Sequence, residues 1–344
     1  MVINVRCLVI VLLMMIFTGC GMQPQSDNKP NDTYSVVDDY GNVLRFDSKP
    51  KKIYAGTLSI EELLVDLVAA DRFAAISEDA LDGNTSLIKK KAEHVKKVVP
   101  AYIGVEAILA LQPDLVIVQE NHNKAFIDAL KDTGLKVMVT KVPTNLDMVQ
   151  KRIALIARAV GEEERGKQII NDMDKKLAVV QSKVGKIPEE KRKIAIAYSL
   201  MGAFGSKNGL FHDICIRSGL RNGAAIAGLK RGEHLSKEKI VSTDPDLFIF
   251  PRYSATKKGD VDKLREDVLN DQSLQTVKAV KNKSYFIIAD RYRYSASQYM
   301  ADAILFMSEQ AYPELYSDVN VGKYGLKRGV RGSDARHTTT TQYY

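Results

Sequence analysis

Two stretches of the sequence share one plan and decide the fold: VEAILALQPDLVIV at residues 105–118 and SKEKIVSTDPDLFIF at residues 236–250. In each stretch a glutamate opens a short helical segment, a Pro-Asp pair follows, and an aliphatic run with strand character ends the unit. Glu106 and Glu238 each lie eight positions before the aspartate of the Pro-Asp pair. This internal repeat predicts two lobes that contain the same helix–strand unit.

Strand and helix patterns alternate on both sides of these units. Helical spacing marks residues 59–70, 105–111 and 123–133. Short apolar runs lie at residues 53–55, 73–76, 115–118, 136–140, 194–198, 247–250 and 285–288. Continuous aliphatic runs are typical of strands that are buried on both faces. The β-α-β order therefore predicts parallel sheets covered by helices.

The segment between the two lobes is helical throughout. Apolar side chains recur with helical spacing over residues 146–160, stop near Gly161 and continue over residues 162–184. At 1.5 Å per residue the second helix would be roughly 35 Å long, enough to join two lobes as a strut. We therefore predict an α/β fold with two Rossmann-like lobes joined by a long rigid helix.

The N-terminus has the pattern of a secreted lipoprotein. An apolar run at residues 7–17 has signal-peptide length, and FTGC at residues 17–20 places small residues ahead of a cysteine. This resembles the bacterial lipobox, although Phe17 stands where leucine is usual. An ordinary signal peptide or a short anchor helix is the alternative. We expect an extracytoplasmic chain that is anchored to the cell membrane by lipid on Cys20.

Composition divides the chain into six parts and agrees with two domains. The 344 residues suffice for two ordinary domains, and the 45% hydrophobic and 27% charged fractions are those of globular proteins. The net charge of +8 is spread among acidic residues and does not indicate a nucleic-acid partner. The parts are a signal peptide (1–20), a flexible tether (21–33), an N-terminal lobe (34–143), linker helices (144–186), a C-terminal lobe (187–318) and a basic tail (319–344).

Cysteine usage and motif content argue against an enzyme. With Cys7 and Cys20 in the N-terminal signal, only Cys215 remains, so neither a disulfide nor a Cys-built zinc site is expected in the body. Its apolar helical surroundings predict that Cys215 is buried. The sequence has no phosphate loop, no His-Glu-x-x-His pair and no Gly-x-Ser-x-Gly elbow. An enzyme on a related bilobed fold is kept as the alternative from a different class.

In their order along the chain, several stretches resemble the substrate-binding proteins of ABC importers for iron-siderophore complexes, haem and cobalamin. These are class III periplasmic binding proteins, the helical-backbone metal receptor family. The resemblance covers residues from about 34 to 316. Its motifs are the two repeated units, KIY (52–54), EELL (61–64), FHDI (211–214) with Gly219, VKAVKNK (277–283) and YPEL (312–315).

The resemblance implies partners and roles. Glu106 and Glu238 occupy the positions of surface glutamates that pair with arginines on the two subunits of a membrane permease. A first-turn glutamate can also simply complement the helix dipole. The family implies a monomer that has no cofactor of its own, holds no metal directly and receives its metal within a small-molecule chelate.

The ligand is expected at the carboxyl ends of the strands, where open α/β sheets bind ligands. The candidate ligand-binding residues are His122, Met201, Arg252, Tyr253, Arg291, Tyr292 and Arg293. Arginine supplies planar charged donors and tyrosine a flat face with a polar tip, which suits a negatively charged ferric siderophore. Haem would need an axial ligand, which His122, Met201, Tyr253 or Tyr292 could supply. Cobalamin also stays open.

The C-terminal tail departs from the family pattern. Residues 323–344 are basic and rich in glycine and threonine, a composition that predicts disorder. The alternative is contact with anionic lipid or cell-wall polymer, since its Lys and Arg residues lack acidic neighbours.

Overall fold

A computed structural model describes residues 33–252, 260–320 and 322. The predictions for the signal peptide, Cys20, residues 21–32, Tyr253 and residues 323–344 lie outside the described residues. The strands are β1 (Tyr34–Val37), β2 (Val43–Phe46), β3 (Ile53–Ala55), β4 (Ile76–Ser77), β5 (Val98–Val99), β6 (Leu115–Gln119), β7 (Val137–Thr140), β8 (Ile194–Ser199), β9 (Gly202–Phe204), β10 (Arg221–Asn222), β11 (Leu247–Pro251) and β12 (Tyr285–Ile288).

The helices cover both lobes and the connection between them. They are α1 (Leu58–Leu67), α2 (Glu78–Leu81), α3 (Lys89–Ala92), α4 (Val105–Ala110), α5 (Lys124–Asp132), α6 (Leu146–Ala159), α7 (Glu163–Val184), α8 (Leu210–Arg217), α9 (Gly223–Ile226), α10 (Lys237–Thr243), α11 (Asp260–Asn270), α12 (Lys278–Lys281), α13 (Asp290–Arg293) and α14 (Met300–Ala311). None of the described helices is long and apolar enough to cross a membrane.

Each lobe is built on a parallel sheet, which confirms the predicted α/β fold. The N-terminal lobe has the strand order β3-β6-β7 with a separate parallel pair β4-β5, and the C-terminal lobe has the order β10-β8-β11-β12. Only β9 runs antiparallel in the second sheet, beside β8. Strands β6 and β11 are buried along their whole length, as their aliphatic runs predict.

The two repeated units have the same backbone plan. Gln112 (φ 53°) and Asp244 (φ 44°) both adopt a left-handed conformation directly before a proline, which disfavours helix at the residue ahead of it. The carboxylate of Asp114 accepts hydrogen bonds from the backbone N–H groups of Lys51 and Lys52, just before β3. The carboxylate of Asp246 accepts one from Ile194 at the start of β8. In each lobe the Pro-Asp pair therefore fixes its strand against a neighbouring strand.

Two predicted elements are shorter than expected. Helix α1 ends at Leu67 rather than at residue 70, because Val68 turns to an extended conformation (φ −125°). The strand expected at residues 73–76 is divided. Phe73 makes a single parallel bridge to Ile53, while β4 pairs with β5. Residues 73–77 therefore pass from the bridge with β3 to the pairing with β5.

Helix α7 is the long helix predicted between the lobes. Its 22 residues give a length of about 33 Å. It packs against α6 and α14. At the contact with α6, a Cβ placed on Gly166 would lie 2.4 Å from the Cβ of Ala157, so only glycine allows the two helices to approach this closely. Cys215 on α8 is fully buried, as predicted.

Candidate functional site

The carboxyl edges of the two sheets carry the described candidate residues. His122 follows β6, Met201 follows β8, Arg252 follows β11, and α13, which follows β12, contains Arg291, Tyr292 and Arg293. The backbone N–H of exposed Arg252 donates to the carbonyl oxygen of Ile288 at 2.9 Å, which joins the ends of β11 and β12. The loops that were expected to face a ligand thus lie at the strand ends as predicted.

Large apolar side chains are exposed after strands or helices of both lobes. Tyr102 after β5 is 85% exposed, Met201 is 77% exposed, and Tyr294 after α13 is 51% exposed. Exposed large apolar side chains are candidates for contact with a ligand or a partner. Of these three side chains, only Met201 was among the ligand-binding residues predicted from the sequence.

An aromatic surface lies over a buried cation in the C-terminal lobe. We define this aromatic surface as Phe204 and Tyr294, whose ring centroids are 5.6 Å apart. The guanidinium carbon of Arg293 lies 5.0 Å from the Phe204 ring and 5.2 Å from the Tyr294 ring. The Arg293 side chain is 1% exposed. Its guanidinium donates to the carbonyl oxygen of Tyr198 and to the carboxylate of Asp290.

The burial of Arg293 changes its expected role. We expected this side chain to contact the ligand, but the rings cover it and its two Nη atoms donate within the lobe, while its buried Nε has no partner among the described residues. Its guanidinium lies close beneath the aromatic surface, where its charge is paired with the carboxylate of Asp290. Arg293 therefore positions the Phe204 and Tyr294 rings without reaching the solvent.

The other two candidate residues on α13, Arg291 and Tyr292, also have roles of their own. Arg291 extends to the N-terminal lobe, where its Nη1 donates to the carbonyl oxygen of Gly83 and lies 3.4 Å from that of Ser86. The ring of Tyr292 stacks on Phe306, with 5.9 Å between centroids, and burial raises its pKa. Arg291 thus links the two lobes, and Tyr292 belongs to the core.

His122 is half-buried at the edge of the N-terminal lobe. Its Nε2 has no hydrogen-bond partner among the described residues, and it would lie 3.4 Å from a Cβ placed on Gly56. Its ring is 5.3 Å from that of Phe126. Burial lowers its pKa, so the imidazole is neutral at neutral pH. A buried polar atom without a partner is a candidate for contact with a bound ligand.

A further histidine lies near the C-terminal edge and was not predicted from the sequence. His234 is exposed, and its Nδ1 lies 3.6 Å from the position of a Cβ on Gly202, beside Met201. Its loop follows α9, far from any strand in the sequence, which is why the strand-end rule missed it. Within the described ranges, no group of three or more His, Cys, Asp or Glu side chains could hold a metal ion.

Buried polar contacts between helices α1 and α6 and residues 296–298 join the two lobes. The Ser297 hydroxyl donates to Glu62 Oε2 at 2.6 Å, and the Gln298 amide donates to Asp66 Oδ2 at 2.9 Å. Arg152 donates to the carbonyl oxygen of Ala296. Helices α1 and α6 are thus tied to the segment that precedes α14. The EELL motif contributes this contact between the lobes.

The two repeated glutamates lie on exposed first turns. Glu106 is in the first turn of α4, and Glu238 is in the first turn of α10. A hydrogen bond from Ser236 lowers the pKa of Glu238. Each side chain stands on the helix that leads into the Pro-Asp pair of its lobe, so the duplicated unit presents one carboxylate per lobe.

Comparison with known proteins identifies relatives over most of the chain. The family model described as periplasmic binding protein matches residues 53–292. YvrC of Bacillus subtilis, an uncharacterized ABC transporter substrate-binding lipoprotein, is 28% identical over 193 residues, which cover 54% of this chain and 60% of YvrC. That match spans less than two thirds of the relative. The iron(3+)-hydroxamate-binding protein YxeB of Bacillus subtilis is 25% identical over 304 residues, covering 81% of this chain and 86% of YxeB.

Solved structures share the fold at low sequence identity. The periplasmic heme-binding protein RhuT from Roseiflexus sp. RS-1 in apo form superimposes with a TM-score of 0.65 and 19% identity, covering 77% of this chain and 99% of RhuT. At that identity the similarity shows the architecture alone.

Proposed function

This chain belongs to the periplasmic binding protein family, and we propose that it captures a ferric siderophore outside the cytoplasm and delivers it to an ABC importer. The observation that carries the choice of ligand is the aromatic surface of Phe204 and Tyr294 over the buried Arg293. The iron enters and leaves as part of this cargo, held by the chelator.

The aromatic surface suits a chelate with flat apolar parts and a negative charge. Phe204 and Tyr294 present ring faces, on which planar catecholate or extended hydroxamate groups can stack. Arg293 lies within about 5 Å of both rings and is paired with Asp290, so it holds the two rings by cation–π contact. Arg252 adds an exposed cationic side chain to the same edge. A small hydrated oxyanion would leave the exposed apolar surface of Met201 and Tyr294 uncovered.

The two lobes supply contacts of different kinds. The C-terminal edge offers the aromatic surface, Met201 and Arg252, while the N-terminal lobe offers the exposed Tyr102 and, at the end of β6, the unpartnered Nε2 of His122. A ligand that spans both edges is enclosed by apolar area on each side. The name of YxeB, an iron(3+)-hydroxamate-binding protein, supports the same ligand class.

Titration of the purified protein with ferric siderophores tests this function. The chain has 15 tyrosines and no tryptophan, so quenching of tyrosine fluorescence reports binding directly. We expect saturable quenching, and we expect Tyr294→Ala to weaken binding roughly tenfold through loss of one ring face. Ile216→Ala is the matched control, because Ile216 is an apolar side chain of the same lobe, 41% exposed, at the far end of α8.

The same titration distinguishes the alternative ligands. A shift of the Soret band with haemin, lost on His122→Ala, would replace the siderophore with haem. A response to cyanocobalamin alone would make the protein a cobalamin binder. Equal affinity of wild type and Tyr294→Ala for the ferric chelate would contradict the role of the aromatic surface.

The long helix α7 predicts that loading moves the lobes very little. A helix of 22 residues that packs on both α6 and α14 resists bending, and Arg291 already links the lobes to each other. Small-angle X-ray scattering curves recorded with and without saturating ligand should therefore nearly superimpose. A clear decrease of the radius of gyration on loading would contradict this prediction.

We further propose that Glu106 and Glu238 dock the loaded protein onto the two subunits of a permease dimer. Both carboxylates are exposed, and both stand on the duplicated helix of their lobe. Two separated charges on rigid elements fix orientation and speed encounter more than they add affinity.

Anchoring by lipid on Cys20 completes the proposed function. YvrC is named a lipoprotein, and the FTGC sequence at residues 17–20 has the corresponding pattern. A tethered binding protein stays close to its permease, which raises the effective concentration of the pair. Metabolic labelling with a fatty-acid analogue, present in the wild type and absent in Cys20→Ser, would test the anchor.

A further inference from the structure

A basic groove lies on the flank of the N-terminal lobe, beside the start of β7. It has a volume of about 380 Å³ and lies between the β1–β2 hairpin and the segment that joins α5 to β7. Three cationic side chains line it, those of Arg45, Lys131 and Lys136, and its lining contains no carboxylate. A groove with only positive side chains favours an anionic occupant.

The three cations have no carboxylate partner within the described part of the lobe. None of them forms an ion pair with any residue of the described ranges. Lys131 Nζ lies 3.5 Å from the Asn42 side-chain oxygen, and Lys136 Nζ lies 5.7 Å from the centre of the Phe46 ring. Neither contact neutralises the charge.

Apolar side chains are exposed next to these cations. Val37 and Val43 face each other across the hairpin and are 55% and 51% exposed. Their neighbours Val36 and Leu44 are buried, so the alternation of the strands directs the two valines outward. Arg45 belongs to the same outward face as Val43, since the two are separated by one residue on β2. The flank combines apolar and basic groups, as membrane-surface segments do.

The position of this flank along the chain favours a membrane as its partner. Strand β1 starts at Tyr34, and residues 21–33 separate it from Cys20, the proposed site of lipid attachment. Thirteen residues span at most about 45 Å, so a lipid on Cys20 would hold the start of β1 within that distance of the bilayer. A membrane leaflet that contains anionic phospholipid attracts basic segments held near its surface.

We propose that this flank, formed by Val37, Val43, Arg45, Lys131 and Lys136, seats the N-terminal lobe on the anionic phospholipid headgroups of the membrane. The three cations bind phosphate groups, and the two valines enter the boundary between headgroups and acyl chains. The inference rests on the anchor at Cys20 that is part of the proposed function. It concerns a surface that takes no part in ligand capture.

Hydrogen–deuterium exchange of the full chain on vesicles tests the proposal. Flotation with vesicles of phosphatidylcholine, alone or mixed with phosphatidylglycerol, first establishes attachment. We expect peptides that cover residues 34–46 and 131–137 to exchange several-fold more slowly on the mixed vesicles than on phosphatidylcholine alone. High salt should remove this difference, because it screens the lipid charge.

Charge-removing variants locate the effect. Arg45→Gln/Lys131→Gln/Lys136→Gln should lose the protection, because three basic groups near an anionic leaflet together change partitioning roughly 100-fold. The matched control is Lys89→Gln/Lys90→Gln/Lys96→Gln, which removes the same charge from exposed lysines elsewhere on the N-terminal lobe. The control should keep the protection.

Each other outcome overturns the proposal. It is wrong if the chain floats with neither kind of vesicle, if exchange is equal on both, or if the control triple variant loses protection to the same extent. Siderophore titration of the same variants separates this from the proposed function. If the flank does not bind the membrane, the protein still binds the siderophore and the titration curves are unchanged. If the ligand assignment is wrong, the siderophore titration fails, while the slower exchange on anionic vesicles remains.

Discussion

Reversing both repeated carboxylates with Glu106→Arg and Glu238→Arg is expected to lower uptake of the ferric siderophore by about 100-fold, with the Kd of the binding protein for its ligand unchanged. The two side chains lie on exposed first turns of α4 and α10, so their replacement disturbs no buried contact. If the two carboxylates pair with arginines of a permease, as we propose, reversal places like charges opposite each other at both ends of the interface, which slows encounter and penalises the docked state.

Uptake of labelled ferric siderophore by cells that carry the importer measures this effect. The matched control is Glu93→Arg/Glu266→Arg, which reverses one exposed glutamate per lobe outside the repeated units. Each single reversal should give an intermediate loss, since one correct contact remains. Normal uptake by the double variant would contradict the docking role, and a weakened Kd would show that the substitutions had damaged the binding protein itself.

The duplicated unit could be predicted because its signals are local. Gln112 and Asp244 each precede a proline, which disfavours helix at the residue ahead of it and so ends the helix of each unit there, a constraint between adjacent residues. The aliphatic runs that follow have no polar face, so only a strand buried on both sides accommodates them. Long helices such as α7 can also be predicted from the sequence, since their apolar spacing extends over many turns.

The β1–β2 hairpin was not predicted, although the sequence contains its signal. Val36, Leu44 and Phe46 alternate with exposed residues, and Gly41 takes φ +81° at the turn. The strands are only four residues long and carry charged residues between them, so the alternation is too short to stand out. What fixes the hairpin is tertiary: a carboxylate oxygen of Asp38 accepts a hydrogen bond from the backbone N–H of Val139 at the edge of β7.

The sequence predicts which loops form the candidate site, but it does not predict the direction of their side chains. Arg291, Tyr292 and Arg293 were grouped as ligand contacts because they follow β12. The structure forms them into the helical turn α13, in which successive side chains point about 100° apart. One therefore reaches the other lobe, one enters the core, and one lies beneath the aromatic surface. Sequence patterns place a loop at a strand end, but side-chain direction depends on packing.

The EELL motif at residues 61–64 leads to a prediction about pH. Glu61 is 2% exposed and accepts hydrogen bonds of 2.6 Å from both the backbone N–H and the hydroxyl of Ser77. Burial raises the pKa of Glu61 from 4.5 to about 7, more than these hydrogen bonds lower it. Glu62 is 4% exposed, and burial likewise raises its pKa to about 7, against the lowering effect of Arg152.

Raised pKa values in the folded state make stability fall as pH rises. Between about pH 4.5 and about pH 7 the unfolded chain has released the proton of Glu61 while the folded chain retains it, so unfolding releases protons and is favoured by higher pH. The contribution is fully present below the unfolded pKa and is lost by the folded pKa. It amounts to about 3 kcal/mol for Glu61, and Glu62 adds an effect of the same sign.

Urea unfolding of the wild type and Glu61→Gln, at about pH 5 and about pH 7.5, isolates this contribution. Glutamine keeps an acceptor for the Ser77 N–H and cannot ionise. The variant should match the wild type at the lower pH and exceed its free energy of unfolding by about 2–3 kcal/mol at the higher one. Glu164→Gln, on an exposed position of α7, should follow the wild type at both pH values. A constant difference between wild type and Glu61→Gln across the range would show that Glu61 is ionised throughout. Its hydrogen bonds with Ser77, rather than its burial, would then determine its charge.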